Sequence, residues 1–515
     1  MRFIANAMRL VAIATWVGLA LGAWTVAHGA TSVKMTVKET PIGELPPSAE
    51  DYRPDISADS AHIAFLVRKD GKMRVVHDGV EGPAYNWIIA TSLSLSPDGK
   101  RLGYIVQTGG RMSMVLDGKE QAAYDRLALS GVAYSADSRH AAYLAQKGDK
   151  WTVVLDGKEG KEYRRINAPP NNPSLLAEPL GLRFSSDSSH LGYWAELEPN
   201  KVVYAIEPTG GEGRQARETA AYHAPIVGQP VFSPDGKRVA WAARLAPSTA
   251  PATAPAAGRV RVTIDGLEPR EHDEIALGTP VFSPDSRRVA YCARVGKEAM
   301  VVIDGVDGPR YENVSVPAFS PDSKRVAWWG LKGGKRYVVI DGKENGPYDM
   351  AANITFSPDS QRVAYPVGVG AAVRLLVDDK EMSQHLGIPE SPVVFSPDSR
   401  HVAYVVRLTG PPATSVSLLA TSPVRRDKSI VLLDGRELGE YDAMRSNMAF
   451  GPDGRHLAWT ARRGARTFFV VDGVESGEFD TVVRGATLVW DGPTRFHTLV
   501  RKKDQVVRAD VEVGE

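Results

Sequence analysis

The chain runs to 515 residues, 43% hydrophobic and 24% charged, with 48 Gly, 35 Pro and one Cys. That apolar share excludes disorder as the main state and allows one very large or several ordinary domains, while the lone Cys292 excludes a disulfide-built scaffold. Lys plus Arg number 62 against 61 Asp plus Glu, so no basic excess points to a nucleic-acid partner.

Residues 1–30 read as an export signal. Arg2 and Arg9 precede the apolar run LVAIATWVGLALGAWTVA (10–27), which closes on the small residues of AHGA. Eighteen apolar residues also lie at the lower limit for a membrane anchor, which is the alternative reading. Either way the chain is expected in the periplasm or outside the cell. Removing this segment takes two Arg and no acid, which leaves 60 bases against 61 acids. A leader over 31–50 follows, and its VKMTV (33–37) is expected to supply an outer strand that the last unit lacks.

From there the chain repeats itself. ISADSAHIAF (56–65), LSPDGKRLGY (95–104), YSADSRHAAY (134–143) and FSSDSSHLGY (184–193) lead into FSPDGKRVAW (232–241), FSPDSRRVAY (282–291), FSPDSKRVAW (319–328), FSPDSQRVAY (356–365), FSPDSRHVAY (395–404) and FGPDGRHLAW (450–459). A worn copy begins at Trp490-Asp491-Gly492. Spacings between the turn aspartates, from Asp59 to Asp491, run from 37 to 55 residues, around a basal unit near 38. Some twenty residues after each copy comes a second motif, as in VVLDGKEGKEY (153–163), VVIDGVDGPRY (301–311) and VLLDGRELGEYD (431–442). Asp-Gly between β-rich runs is a hairpin signal, and S-P-D-[GS] is a turn in which Pro fixes φ and Asp bonds its own backbone. Four short antiparallel strands per unit, without a helical period, predict an all-β fold: a β-propeller of about ten to eleven four-stranded blades.

The FSPDGKRVAY unit resembles the TolB-type, WD-like β-propeller repeat of exported bacterial proteins and of prolyl-oligopeptidase-like enzymes. The resemblance covers residues 50–510 and implies the fold more than a function. Only about twenty residues separate the signal from the first copy, so the α/β domain that precedes the TolB propeller has no counterpart, and binding to the Tol-Pal system is not implied. No G-x-S-x-G elbow of a peptidase domain occurs in the chain. Ten complete units plus a three-strand remnant (488–513) exceed the usual four to eight blades, so two tandem rings are preferred over one large ring. The halves are taken as 51–275 and 276–515, with the joint somewhere in 225–280.

Candidate chemistry is sparse. His62, His140, His190, His401 and His456 share one repeat position, three after the turn aspartate, where other units carry Arg238, Arg288, Arg325 or Arg362. His272 and His385 replace the Tyr of a recurring Tyr-Asp. No H-E-x-x-H or comparable spacing appears, so neither a metal nor a cofactor is expected. The innermost strands, read from SLSLS to NMAFG, hold no Asp or Glu, which speaks against acid–base catalysis. Arg183, Asn353 and Asn447 are the polar anchors there for an alternative function, a carbohydrate-active or small-molecule-binding propeller using the channel mouth. Arg68, Arg244, Arg294, Arg407 and Arg462, three residues past the aromatic of the second strand, form a candidate basic rim. Most extra length falls on one face, at 166–181, 245–258 and 408–428, the last carrying Arg425 and Arg426, and only the Gly-rich 208–218 is placed on the turn face. The reading is therefore an exported scaffold, not an enzyme. It binds a protein or cell-envelope partner through that face, takes no nucleic acid, and meets a membrane only through an uncleaved anchor.

Overall fold

The computed structural model describes residues 33–44, 54–166, 181–199, 201–210, 216–219, 226–244, 259–265, 269–276, 278–352, 354–370, 372–386, 388–389, 393–408, 428–444 and 448–514. Every regular element among them is a strand, and the strands form eleven antiparallel sheets. The third sheet shows the pattern. Its innermost strand comes in two pieces, Arg126–Leu127 and Ala133–Tyr134, which pair with opposite ends of Ala141–Lys147; Lys150–Leu155 and Lys158–Tyr163 follow outward. The second and third strands are apolar on both faces because each sheet is packed between two others. The outermost, KEGKEY, is mostly exposed and ends on a buried tyrosine.

The hairpin between the two outer strands turns on Asp156 and Gly157, with φ of 52° and 76°. Both residues are left-handed, as a two-residue turn of the twist-matching type requires, and Asp with Gly is the pair that accepts this at least cost. The carboxylate does more than tolerate the turn: its Oδ1 accepts the Ala141 N–H at 3.0 Å, fastening the start of the second strand.

Neighbouring sheets share apolar cores. Leu155 and Tyr163 of the third pack with Leu191, Tyr193 and Val203 of the fourth. Tyr163 meets Tyr193 edge-on at 6.1 Å, an arrangement repeated by Tyr124 with Tyr143 and Tyr441 with Trp459. The series runs unbroken through 225–280, where Trp194 and Tyr204 pack on Val239 and Trp241, and Ala240 and Ile264 on Phe282 and Tyr291. It then returns to its start, because Val483, Leu499 and Val506 of the last sheet pack on Ile63, Phe65 and Val76 of the first.

Eleven blades therefore form one closed ring, and the preference for two tandem rings is corrected. Repeat counting could not decide this, since closure depends on the wedge angle between blades and not on any local motif. The eleventh sheet contains Thr481–Val482, Val489–Gly492, Arg495–Lys502 and Gln505–Gly514, and its outermost strand is the leader segment Lys34–Glu44. That strand pairs with 505–514 from Lys34↔Gly514 to Glu44↔Gln505, with one irregularity between Pro41 and Gly43.

Candidate functional site

The turn face carries a recurring set of polar groups that bond within their own blade or to the next. In S-P-D-[GS], the Ser320 hydroxyl donates to Asp322 Oδ1 at 2.6 Å and accepts the Arg325 N–H at 2.9 Å. These bonds, with the serine first, hold the Asp322 carboxyl below the ordinary carboxylate range, and the same cause acts at Asp98, Asp137, Asp285, Asp359 and Asp398. Across the seam, the Asp322 N–H donates to Ser360 Oγ of the next blade at 2.9 Å.

The recurring Arg or His three residues on is a staple. Arg325 Nε donates to Asp341 of the hairpin turn at 2.9 Å, Nη1 reaches Ser360 O and Gln361 O of the next blade, and the guanidinium lies 5.1 Å from the Phe356 ring centroid. Arg101, Arg288 and Arg362 do the same. His62, His140, His401 and His456 keep the bond to the hairpin aspartate, at 2.6 to 2.9 Å, and His456 also stacks on Trp490 of the next blade at 6.5 Å. His272, at the Tyr position, is buried against Tyr291, and desolvation lowers its pKa. The side chain of His385 lies outside the described residues.

On the opposite face, the Asp of Tyr-Asp accepts a backbone N–H from the next blade's second-to-third-strand turn. Asp125 takes Gly148 at 2.7 Å, and Asp442 takes Gly464 at 2.6 Å. The candidate basic rim also lies here. Arg68 and Arg407 are exposed, and Arg294 bonds Lys297 O and stands 3.5 Å from Glu274. Arg462 is half-buried. The structure brings these four to one face but joins none to another, and the side chain of Arg244, with Arg425 and Arg426, lies outside the described residues. So do the insertions 245–258 and 409–427, whose flanking strands fix both as second-to-third-strand connections on this face. The insertion at 166–181 is different. It leaves from Arg165–Ile166 and returns at Arg183–Phe184, the two pieces of an innermost strand, so it arises from the channel wall and not from a blade-edge turn.

That wall is not free of acids, which corrects the sequence reading. Asp55 opens the first blade's inner strand, where its Oδ2 accepts the Leu95 N–H of the second blade at 2.5 Å, and burial raises its pKa. Glu274 opens the first piece of the sixth. Asp55 lies in the first copy, ahead of SLSLS, and Glu274 lies upstream of the stretch that runs into its S-P-D turn, so the sequences from SLSLS to NMAFG include neither. Among the described residues, the groups that act on the Asp55 carboxyl besides its burial are the Leu95 and Ile56 N–H groups. Arg183 is exposed on its inner strand, and Asn353 and Asn447 lie outside the described residues. Leu129 and Val316, at equivalent positions of two inner strands, are 51% and 45% exposed.

The seam after the fourth blade departs from the pattern. In the fourth blade the Asp-Gly hairpin is replaced by a longer connection, and Thr209 bonds Ser188 O and Ser189 O in its stead. His190 then has Ser189 Oγ at 2.7 Å where its counterparts have a turn carboxylate. Beside it opens a cleft of about 300 Å³ lined by His190, Arg217, Phe232, Lys237, Arg238 and Asp265. Its charge is mainly cationic, with Arg217 paired to Asp265 at 3.7 Å.

No family model matches the chain, and no curated protein matches it. Among solved structures it is similar to one titled as the eukaryotic initiation factor, at 14% identity over 73% of this chain and 94% of that one, with a TM-score of 0.36. TolB from Acinetobacter baumannii matches at 15% identity, 57% and 77% coverage and a TM-score of 0.24. The β-propeller domain of the Trilobed protease from Pyrococcus furiosus, titled as having an open velcro topology, matches at 12%, 56% and 93%, with 0.27. TM-scores this far below 0.5 carry no functional assignment, and the fold rests on the chain's own strand pairing.

Proposed function

We propose that this chain is an exported, non-enzymatic propeller scaffold that binds a protein or cell-envelope partner through the face opposite the S-P-D turns. A β-propeller is consistent with a scaffold or protein-binding role. One observation carries the finer reading: the repeat's serines, aspartates, arginines and histidines on the turn face are engaged by their own or the next blade, so that face is built for cohesion. The opposite face carries the two long second-to-third-strand connections and the exposed Arg68 and Arg407. Export is supported by the charged-then-apolar order of residues 1–30 and by the resemblance to TolB-type repeats.

The test is a photocrosslinking amino acid placed at position 415, at 255, or in place of Val306 on the turn face, in cells that express the chain. Adducts of one defined mass at 415 or 255 and none at 306 are expected. Equal adducts at all three positions, or adducts at 306 alone, overturn the reading. The cationic cleft beside His190 favours a second reading, a small anionic ligand, and a dicarboxylate or phosphate screen by thermal shift with Arg217→Ala as control decides it.

A further inference from the structure

In nine blades the third-strand residue opposite the alanine or glycine that precedes the second strand's aromatic is Leu, Ile or Val. The first blade has His77 there, paired with Ala64. This places a second imidazole beside a His–Asp staple: His62 Nδ1 lies 2.6 Å from Asp78 Oδ2, and His77 Nε2 lies 3.5 Å from the same oxygen. The ligand atoms of all three residues fall within 4.8 Å of one another, and the two rings stand 6.3 Å apart. The three side chains are 31%, 25% and 34% exposed, so the cluster is open to solvent on the turn face.

We propose that His62, His77 and Asp78 bind one borderline divalent transition metal, of the Zn²⁺ or Ni²⁺ class, per chain. Two imidazoles and a carboxylate are the donor set those ions take, and three protein ligands leave a position for water. Ligands about 2.0–2.1 Å from a tetrahedral ion stand roughly 3.3 Å apart. The His77–Asp78 separation of 3.5 Å already fits, and the His62–Asp78 separation of 2.6 Å must widen by less than ~1 Å as the ion replaces the bridging proton. Asp78 is oriented independently of the ion, since its Oδ1 accepts the Ile63 N–H at 2.9 Å. Gly99 of the second blade makes room, because a Cβ there would fall 2.4 Å from the His62 ring. His77 Nε2 presently faces Gly99 O at 2.9 Å and gives up that bond to ligate.

The fold supplies its own controls. The third, ninth and tenth blades hold the same His–Asp pair, but Leu155, Leu433 and Val471 occupy the position of His77. A second cluster, Asp491, His497 and Asp510, is less suited, since His497 is 4% exposed and both its nitrogens already face oxygen acceptors, Asp491 and Asp59 O.

Equilibrium dialysis of the full chain against Zn²⁺ and Ni²⁺ at neutral pH, with Co²⁺ absorption reporting the ligand field, tests the site. One equivalent is expected. His77→Leu should weaken it at least about tenfold, since it removes one of three ligands. His62→Arg should do the same while restoring the staple that Arg101 makes elsewhere, so its thermal transition in metal-free buffer should hold. His140→Arg should change nothing. Wild-type binding in His77→Leu and His62→Arg, no saturable equivalent in the wild type, or loss confined to His497→Gln each overturns the proposal.

Discussion

The seam between the sixth and seventh blades and the seam between the eleventh and the first join neighbouring sheets with different residues. At the former, the Asp285 N–H donates to Ser323 Oγ at 2.9 Å, and Arg288 spans from Asp304 to Ser323 O and Lys324 O, above the Phe319 ring. At the latter, Ser60 takes the role of Ser323 but accepts from the Thr487 N–H, again at 2.9 Å. The crossing bond comes from His497, a buried residue of the second strand, whose Nε2 reaches Asp59 O at 2.9 Å while Nδ1 reaches Asp491 at 2.8 Å. The regular seam places a permanent cation at the half-exposed rim. The closing seam relies on an imidazole inside it and on a strand borrowed from the other end of the chain. Cohesion here is thus a property of the seam's geometry, and the consensus residues are one way to meet it.

The largest contrast should come from the borrowed strand. Deleting 33–44 strips the outer edge of the last sheet and uncovers Val507, Val511 and Val513, at a cost of more than about 5 kcal/mol on the apolar term. A fall in the thermal transition with concentration-dependent association through the bared edge is expected by calorimetry and light scattering. A small shift with no association would mean that the ring does not depend on its closure.

Next come the two crossing bonds. His497→Leu and Arg325→Ala should each lower stability in urea unfolding, by about 2–3 and about 1–2 kcal/mol respectively, the buried site more because its acceptors are left unpaired. The reverse order would make the consensus seam the more dependent one. The smallest and most diffuse effect is in acid. The turn aspartates have folded pKa values below their unfolded ones, so their contribution is present above roughly pH 4 and is lost as pH falls through the lower, folded values. Ser320→Ala should remove the leading cause at Asp322 and flatten the acid limb slightly, measured as the midpoint shift between pH 5 and pH 2.5. No difference from wild type would separate the carboxyl's ionisation from the turn.

Much of this architecture is legible in the sequence because its determinants are local. Asp156-Gly157 names a hairpin within two residues, and the aromatics Tyr143 and Tyr193 mark the shared cores at a fixed place in each copy. The staple role of Arg325 is harder to read, since two of its acceptors, Ser360 O and Gln361 O, lie 35 and 36 residues away in the next unit. Asp55 lies in the first copy, ahead of the SLSLS at which the inner-strand sequences begin. The His62–His77–Asp78 cluster has no linear spacing to betray it, since strand pairing brings the start of one strand to the end of the next.

The leader strand also sets an order in time. Lys502 bonds Glu39 across 463 residues of chain, and the leader pairs with 505–514 along almost its whole length. Ten sheets can assemble from neighbours as the chain emerges, but the eleventh cannot be completed until the final strand exists. Until then the leader and the first blade each present an unmatched flank, and loop closure over that span adds to the entropy of the last step. The ring is therefore a clasp whose two halves are the first and last strands among the described residues, and a chain that has made only one of them is left with an adhesive edge.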